Sequence, residues 1–149
     1  MTVTVRPLEP GDHAAWLTLW RGYLAFYQAD IPDEITALTW DRLLDPTQAM
    51  FGAAAVSQGV VVGFVHWLTH PSTWARGPYV YLEDLFVGPA IRGGGAGRTL
   101  IEHVYGWAAQ AGSPQVYWLT QETNAVARLL YDRIAERSGF IHYAKTIGS

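Results

Sequence analysis

The 149-residue sequence contains no cysteine. Disulfides, thiolate metal sites and a cysteine nucleophile are therefore excluded. An acyl-cysteine intermediate goes with them, so any acyl transfer must be direct or use another nucleophile. Charge is also sparse, at 15% of residues, and the net charge is −3. Non-specific nucleic-acid binding needs a basic footprint, which this balance does not supply. Mild acidity is instead hospitable to a cationic partner. Long apolar runs are missing: Val60 to Val65, interrupted by Gly63, falls far short of the roughly 20 residues of a membrane span. No membrane partner is expected. Residues Met1 to Arg6 lack the apolar core of a secretory signal, and the expected location is cytoplasmic.

The residues present describe a folded chain. Half are apolar and seven are tryptophan, too rich a mixture for disorder. The length fits one domain over residues 1–149, without linker, repeat or low-complexity tract. Thr2 to Leu8 reads as a strand, ended by Glu9-Pro10-Gly11, and Asp12 is placed to cap a helix. Trp16, Leu17, Trp20, Tyr23, Leu24 and Tyr27 then recur at helical spacing and form one wide aromatic face. Ile31 to Ala37 reads as irregular, followed by a short helix from Thr39 to Leu44. Met50 to Val56 and Val60 to Leu68 read as a hairpin turned at Gln58-Gly59, and Tyr79 to Val87 as the next strand. The stripe Leu100, Ile101, Val104, Trp107, Ala108 and Ala111 marks a third helix. Val116 to Thr120 is a short strand, Ala127, Leu130, Tyr131 and Ile134 a last helix, and Phe140 to Thr146 a final strand. The order predicts a mixed α/β fold, antiparallel at first and with a crossover in its second half.

Residues 88 to 99 concentrate the chemistry: Gly-Pro-Ala-Ile-Arg-Gly-Gly-Gly-Ala-Gly-Arg-Thr. A strand feeds this loop and a helix leaves it. Successive backbone N–H groups can then converge at a helix N-terminus, where donors and dipole favour an anion such as phosphate. A side chain would hold the anion off, which is the reason for glycine there. The Walker A pattern fails because no Lys follows the glycines. The dinucleotide fingerprint fails because Arg98 or Leu100 stands where its third glycine belongs. The pattern met is Arg/Gln-x-x-Gly-x-Gly/Ala, at Arg92, Gly95 and Gly97. Further on, Asn124-x-x-Ala127-x-x-Leu130-Tyr131 sets Asn124 and Tyr131 two turns apart on one face, about 10.5 Å along the axis.

In this order and spacing the two motifs resemble the GNAT superfamily of N-acetyltransferases, and the resemblance covers nearly the whole chain. The strand Tyr81-Leu82-Glu83-Asp84-Leu85-Phe86-Val87 is similar to that of spermidine/spermine acetyltransferases. The Arg6-Pro7 strand, the aromatic helix and Thr73-Trp74 resemble a subgroup of yeast histone and polyamine acetyltransferase-like proteins. Gly139-Phe140 follows Tyr131 later than the family habit. The resemblance implies a mostly antiparallel mixed sheet of six to seven strands with about four helices. It also implies acetyl-CoA as co-substrate and no metal. The coenzyme would lie on Leu85, Phe86 and Val87, on Arg92, Gly93, Gly94, Gly95, Ala96, Gly97, Arg98 and Thr99, and along Asn124 and Tyr131.

An alkylammonium, with a pKa near 10.4, is no nucleophile until a base takes its proton. Strand alternation puts Tyr79, Tyr81 and Glu83 on one face, and Val80, Leu82 and Phe86 with Asp84 on the other. The bulge usual in this strand of GNAT proteins would disturb the pattern after Glu83. Glu83 is the candidate base, a structural ion pair being its alternative role. Asp84 is the fallback, its alternative roles being to hold a cationic substrate group or to serve the fold. Tyr131 is the candidate acid for the leaving thiolate, since an unperturbed phenol and thiol titrate near 10 and 8.5. Main-chain N–H groups around Leu85 to Val87 would meet the oxyanion. Trp20, Tyr23, Tyr27, Trp74 and Tyr81 are candidate walls of the acceptor cleft. His66 and His70 stand four apart without a convincing third ligand, so no metal is expected. The leading expectation is acetylation of a small primary amine by direct attack in a ternary complex. A protein or peptide acetyltransferase and a non-catalytic CoA-binding module are the alternatives, and a homodimer is expected from family habit.

Overall fold

The computed structural model describes residues 2–148, so Met1 and Ser149, the ends of the expected single domain, lie outside it. It comprises two compact units, Met1–Trp118 and Leu119–Ser149.

The first unit opens with strand β1 (Thr4–Pro7), shorter than the expected Thr2 to Leu8. Arg6 then grips Asp12 with both terminal guanidinium nitrogens, at 2.8 and 3.0 Å. The carboxylate also accepts the backbone N–H of Glu9 at 2.8 Å. Arg6 holds the Asp12 carboxyl below the usual range. This clamp fixes the turn into helix α1 (His13–Phe26). Helix α2 (Asp33–Leu44) begins well before the expected Thr39 and overturns the irregular reading of Ile31 to Ala37. Pro32 precedes it and Asp33 and Glu34 fill its first turn, where acidic side chains complement the dipole. Its buried stripe is Thr36, Trp40 and Leu43. A threonine holds one of those places, so counting apolar residues alone understates the helix.

Strands β2 (Met50–Ser57) and β3 (Val60–His70) form the expected hairpin. Both turn residues, Gln58 and Gly59, have positive φ, 51° and 76°, the geometry that matches strand twist in two-residue hairpins. Strand β4 (Tyr79–Val87) follows, then helix α3 (Ala96–Gln110) and strand β5 (Val116–Tyr117). The sheet has five strands in the order β1-β2-β3-β4-β5. All neighbours are antiparallel except β4 and β5, which are parallel across the α3 crossover. One face carries Ala54, Phe64 and Phe86 against Trp16, Trp20, Trp40 and Leu43 of α1 and α2. On the other face Trp67 meets Trp107 and His103 of α3, with ring centroids 5.5 and 5.9 Å apart.

The second unit holds helix α4 (Ala125–Ile134), with Asn124 at its N-terminus. Two strand expectations need correction. β5 ends at Tyr117, short of Thr120, because only Val80–Val116 and Tyr81–Tyr117 pair before β4 departs. Phe140 to Thr146 forms no strand, so the sheet has five strands and not six or seven. Neither alternate face of that segment is uniformly apolar, so no register is enforced. Phe140, Ile141 and Tyr143 stay 75–84% exposed. The described residues contain no helix long and apolar enough to cross a membrane.

Candidate active site

The side chains that matter begin with α1. Trp16, Trp20, Tyr23 and Tyr27 fall on one helical stripe. Their rings succeed one another at 5.5, 5.4 and 5.1 Å between centroids. The lower end of the stripe is core, with Trp16 fully buried and Trp20 5% exposed. The Trp20 indole donates to Thr36 Oγ1 at 3.0 Å, tying α1 to α2. The upper end, Tyr23 and Tyr27, opens onto a cavity of about 330 Å³.

Strand β4 supplies the opposite wall. His66 of β3 stands across from Asp84 and Trp67 across from Leu82, so Glu83 is an extra residue in β4. That is a β-bulge, and it cancels strict alternation. Asp84 therefore does not share a face with Leu82. Both Glu83 and Asp84 line the cavity with Trp20, Tyr23 and Tyr27. Five of the expected site residues thus meet in one place. Trp74 does not join them: it is 83% exposed in the β3–β4 loop. Nor does Tyr81, whose ring stacks on Tyr117 at 5.0 Å.

The hydrogen bonds around Asp84 form a chain. Trp16 Nε1–H lies 3.0 Å from His66 Nε2, and an indole only donates. His66 Nε2 is accordingly the acceptor, which assigns the neutral tautomer with the proton on Nδ1. That N–H donates to Asp84 Oδ2 at 2.9 Å. Tyr23 O–H donates to Asp84 Oδ1 at 2.6 Å. Both oxygens of Asp84 are engaged. Glu83 instead keeps an exposed side chain. Its surface reaches solvent, but the cleft walls partly desolvate the carboxyl, and this, with the charge of Asp84 second, raises Glu83 above its ordinary value. Burial and the same charge push the Tyr23 hydroxyl far above the usual phenol range, and Tyr27 moves the same way. A carboxylate with raised proton affinity is what a base for neutral-pH chemistry requires.

The glycine turn is built differently. A short 3-10 turn, Pro89–Ile91, leads into Arg92. Gly93 and Gly95 then take φ of +87° and +82°, a region that side-chain-bearing residues enter at a cost. Gly95 is the residue before α3, with no side chain capping the helix. The first N–H groups of a helix have no partner within it, so this end offers donors and a positive dipole. Arg92 turns back, donating Nε–H to Val87 O at 2.9 Å with its head 5.0 Å from the Phe86 ring centre. It braces the end of β4. Arg98 pairs with Glu102 at 3.6 Å on the surface, and Thr99 Oγ1 donates to Gly95 O at 3.0 Å. Beside the turn, β4 from Leu82 to Val87 has no β5 partner, which leaves a splayed edge where Leu85, Phe86 and Val87 lie.

In the second unit Asn124 precedes α4, its Nδ2 3.5 Å from Thr120 Oγ1. Tyr131 lies on the second turn of that helix. The two histidines weighed as ligands have other employment: His70 meets Pro71 O at 2.9 Å and Tyr117 Oη at 2.8 Å. Among the described residues no group of three or more His, Cys, Asp or Glu is arranged to hold a metal. Sequence reasoning missed the structural use of His66 and the presence of Thr39 in the cavity wall. The hairpin register, which sets His66 beside the acidic pair once β3 and β4 are aligned, is the signal that would have found the first.

Residues 15–135 match the family described as acetyltransferase (GNAT) family. The chain is 38% identical over 145 residues to the D-amino-acid N-acetyltransferase HPA3 of Saccharomyces cerevisiae, covering 96% of this chain and 90% of that protein. It is 35% identical over 112 residues to an aminoglycoside N(6')-acetyltransferase type 1 of Stenotrophomonas maltophilia, covering 73% and 69%. Among solved structures, AAC(6')-Iy bound to a bisubstrate analogue superposes with a TM-score of 0.84 at 19% identity, over 98% of this chain and 99% of that one. The chain belongs to the GNAT family and is an acetyl-CoA-dependent N-acetyltransferase that moves an acetyl group onto an amine.

Proposed function

We propose that the acceptor is a small primary amine, taken into the cavity between α1, α2 and the β4 bulge and acetylated by direct attack in a ternary complex. The observation that carries this reading is the bulge, which turns two adjacent carboxylates, Glu83 and Asp84, into one aromatic-walled cavity of about 330 Å³. A cavity of that size suits a small molecule better than a polypeptide. Its lining includes no Lys or Arg, so its field favours a cation. The two curated relatives compared above, named for D-amino acids and an aminoglycoside, point to small amines of those kinds.

In this reading Glu83 takes a proton from the bound ammonium. The freed nitrogen attacks the thioester carbonyl, forming the C–N bond. Main-chain N–H groups at the unpaired edge of β4, Leu85 to Val87, meet the oxyanion. The C–S bond then breaks as the carbonyl re-forms, Tyr131 gives its hydroxyl proton to the leaving thiolate, and the proton lost from the cationic adduct nitrogen returns to the Tyr131 oxygen through solvent. The diphosphate rests on the main chain of Gly93 to Gly97 where α3 begins, with Arg98 and Thr99 in the first turn. The uncapped helix start and the two positive φ values support that fit. Asn124 and Tyr131 attend the pantetheine arm. The family match, which runs through both units, supports one GNAT domain over residues 1–149. A cytoplasmic homodimer completes the reading, with exposed Phe140, Tyr143 and Ile147 as the apolar surface that supports association.

The test is thiol release from acetyl-CoA across small amines, D-amino acids, aminoglycosides and peptides. Release with small amines is expected. Release with peptides alone would replace this reading with a peptide acetyltransferase. Glu83→Gln should lower kcat roughly 100- to 10,000-fold, and Tyr131→Phe roughly 10- to 1,000-fold, each with little change in CoA affinity. Unchanged turnover would remove the residue concerned from its role.

A further inference from the structure

Two acidic residues stand side by side in β4, and either could be the extra residue of the bulge. If the register slid by one position, Glu83 would stand opposite His66 and Asp84 would hang free. The structure selects one alternative: Asp84 is paired across the ladder with His66, and Glu83 is left over. The reason lies beneath the sheet. His66 is 2% exposed and Trp16 fully buried. Trp16 supplies the hydrogen bond that keeps the His66 proton on Nδ1, facing Asp84. Tyr23 closes the other oxygen from α1. Two donors on one carboxylate hold it by both oxygens, so the side chain at position 84 is fixed in place.

We propose that Asp84, clamped by His66 and Tyr23, is a positioning residue that locks the bulge in register and sets a second carboxylate beside Glu83. His66 is the buried post that holds it. The inference rests on Glu83 as the proton acceptor of the reaction. The clamp determines which of two neighbouring carboxylates is presented to the acceptor amine and gives the presented one a like-charged neighbour. The titratable groups that meet this pair are Tyr23 and Tyr27 from α1, His66 from β3 and Tyr81 from β4 itself. Helix α2 brings Thr39, which carries no charge. Burial raises the Glu83 carboxyl first and the Asp84 charge second, in keeping with that role.

The experiment measures pH profiles of kcat/KM for the acceptor, together with CoA dissociation constants, in Asp84→Asn, His66→Phe, His66→Asn and Glu83→Gln, each checked for folding by circular dichroism. Activity needs Glu83 ionised, so it falls as pH drops through that group's raised pKa. Removing the Asp84 charge lowers that pKa, and the acid limb of Asp84→Asn should move to lower pH. His66→Phe should lose roughly 10- to 100-fold in kcat at unchanged CoA affinity. His66→Asn, whose amide N–H can take the place of Nδ1–H, should recover most of the loss. If His66→Phe fails to fold, His66→Asn and Asp84→Asn decide. An acid limb of Asp84→Asn at the parental pH, or His66→Asn no better than a folded His66→Phe, overturns the clamp. Should Glu83→Gln keep parental turnover, the choice of base falls and the clamp with it. A dead Glu83→Gln beside an unmoved Asp84→Asn profile condemns the clamp alone.

Discussion

The turn at the start of α3 and the cleft beside the β4 bulge are made of opposite materials. The turn works with main chain: Gly93 and Gly95 adopt positive φ, and its side-chain hydrogen bonds span five residues or fewer. The cleft works with side chains drawn from afar, with bonds that span 50, 18 and 61 positions along the chain. An anion needs only converging donors and room, which a short loop supplies wherever glycines permit the backbone to turn. Moving a proton needs a carboxylate whose affinity is set by burial and neighbours, and those arrive only when the sheet has closed on its helices. The two regions should therefore fail independently.

The largest effect on coenzyme binding should come from breaking the turn. Gly95→Val puts a β-branched side chain at φ +82°, a conformation costing roughly 1–3 kcal/mol for residues other than glycine. The turn would relax by redirecting its N–H groups, and the CoA dissociation constant should rise about 10- to 100-fold. Calorimetric titration with CoA measures this, and KM for the acceptor should stay near the parental value. Parental CoA affinity in the valine variant would mean that the coenzyme is gripped elsewhere.

Breaking the cleft from beneath should leave CoA alone. Trp16→Phe keeps an aromatic ring in the stack but removes the donor to His66 Nε2. A buried acceptor left unpaired costs about 2 kcal/mol, which should appear as a lower midpoint in thermal unfolding. The CoA dissociation constant should not change. A joint loss of stability and CoA affinity would show that the two regions are one cooperative device and dissolve the contrast.

The same division governs what could be read from the sequence. Arg92, Gly95 and Gly97 announce the turn because every requirement is met within a dozen residues, and the aromatic stripe of α1 announces itself by spacing alone. Strand β4 runs from Tyr79 to Val87 as its pattern predicts, and Glu83 lines the cleft. The companionship of Asp84 was not legible: alternation assigns it to the opposite face, and only the pairing of His66 with Asp84 and Trp67 with Leu82 reveals the extra residue. His66 drew attention through its spacing from His70, a local pattern with no bearing on its tertiary role. Helix α2 was half missed because its first buried position is Thr36, held by the Trp20 indole from another helix. The segment from Phe140 was misjudged for a related reason, since β composition forms a strand only where a partner edge and a face to bury are supplied.

The smallest expected effect sharpens the contrast most. Arg98 lies in the first turn of α3, and its partnership with Glu102 is exposed, with side chains 53% and 56% accessible. Such a pair contributes less than about 0.5 kcal/mol, so Arg98→Gln should leave the unfolding midpoint in place. If main-chain amides and the helix dipole carry the diphosphate, losing this one solvated charge should weaken CoA binding only about two- to threefold. The salt dependence of binding should flatten slightly, because a single screened attraction has been removed. Titrations at low and physiological ionic strength measure both quantities. A loss in Arg98→Gln as large as that in Gly95→Val would turn the reading round: the turn would then be a scaffold for a cationic side chain, and its glycines would serve only to aim it.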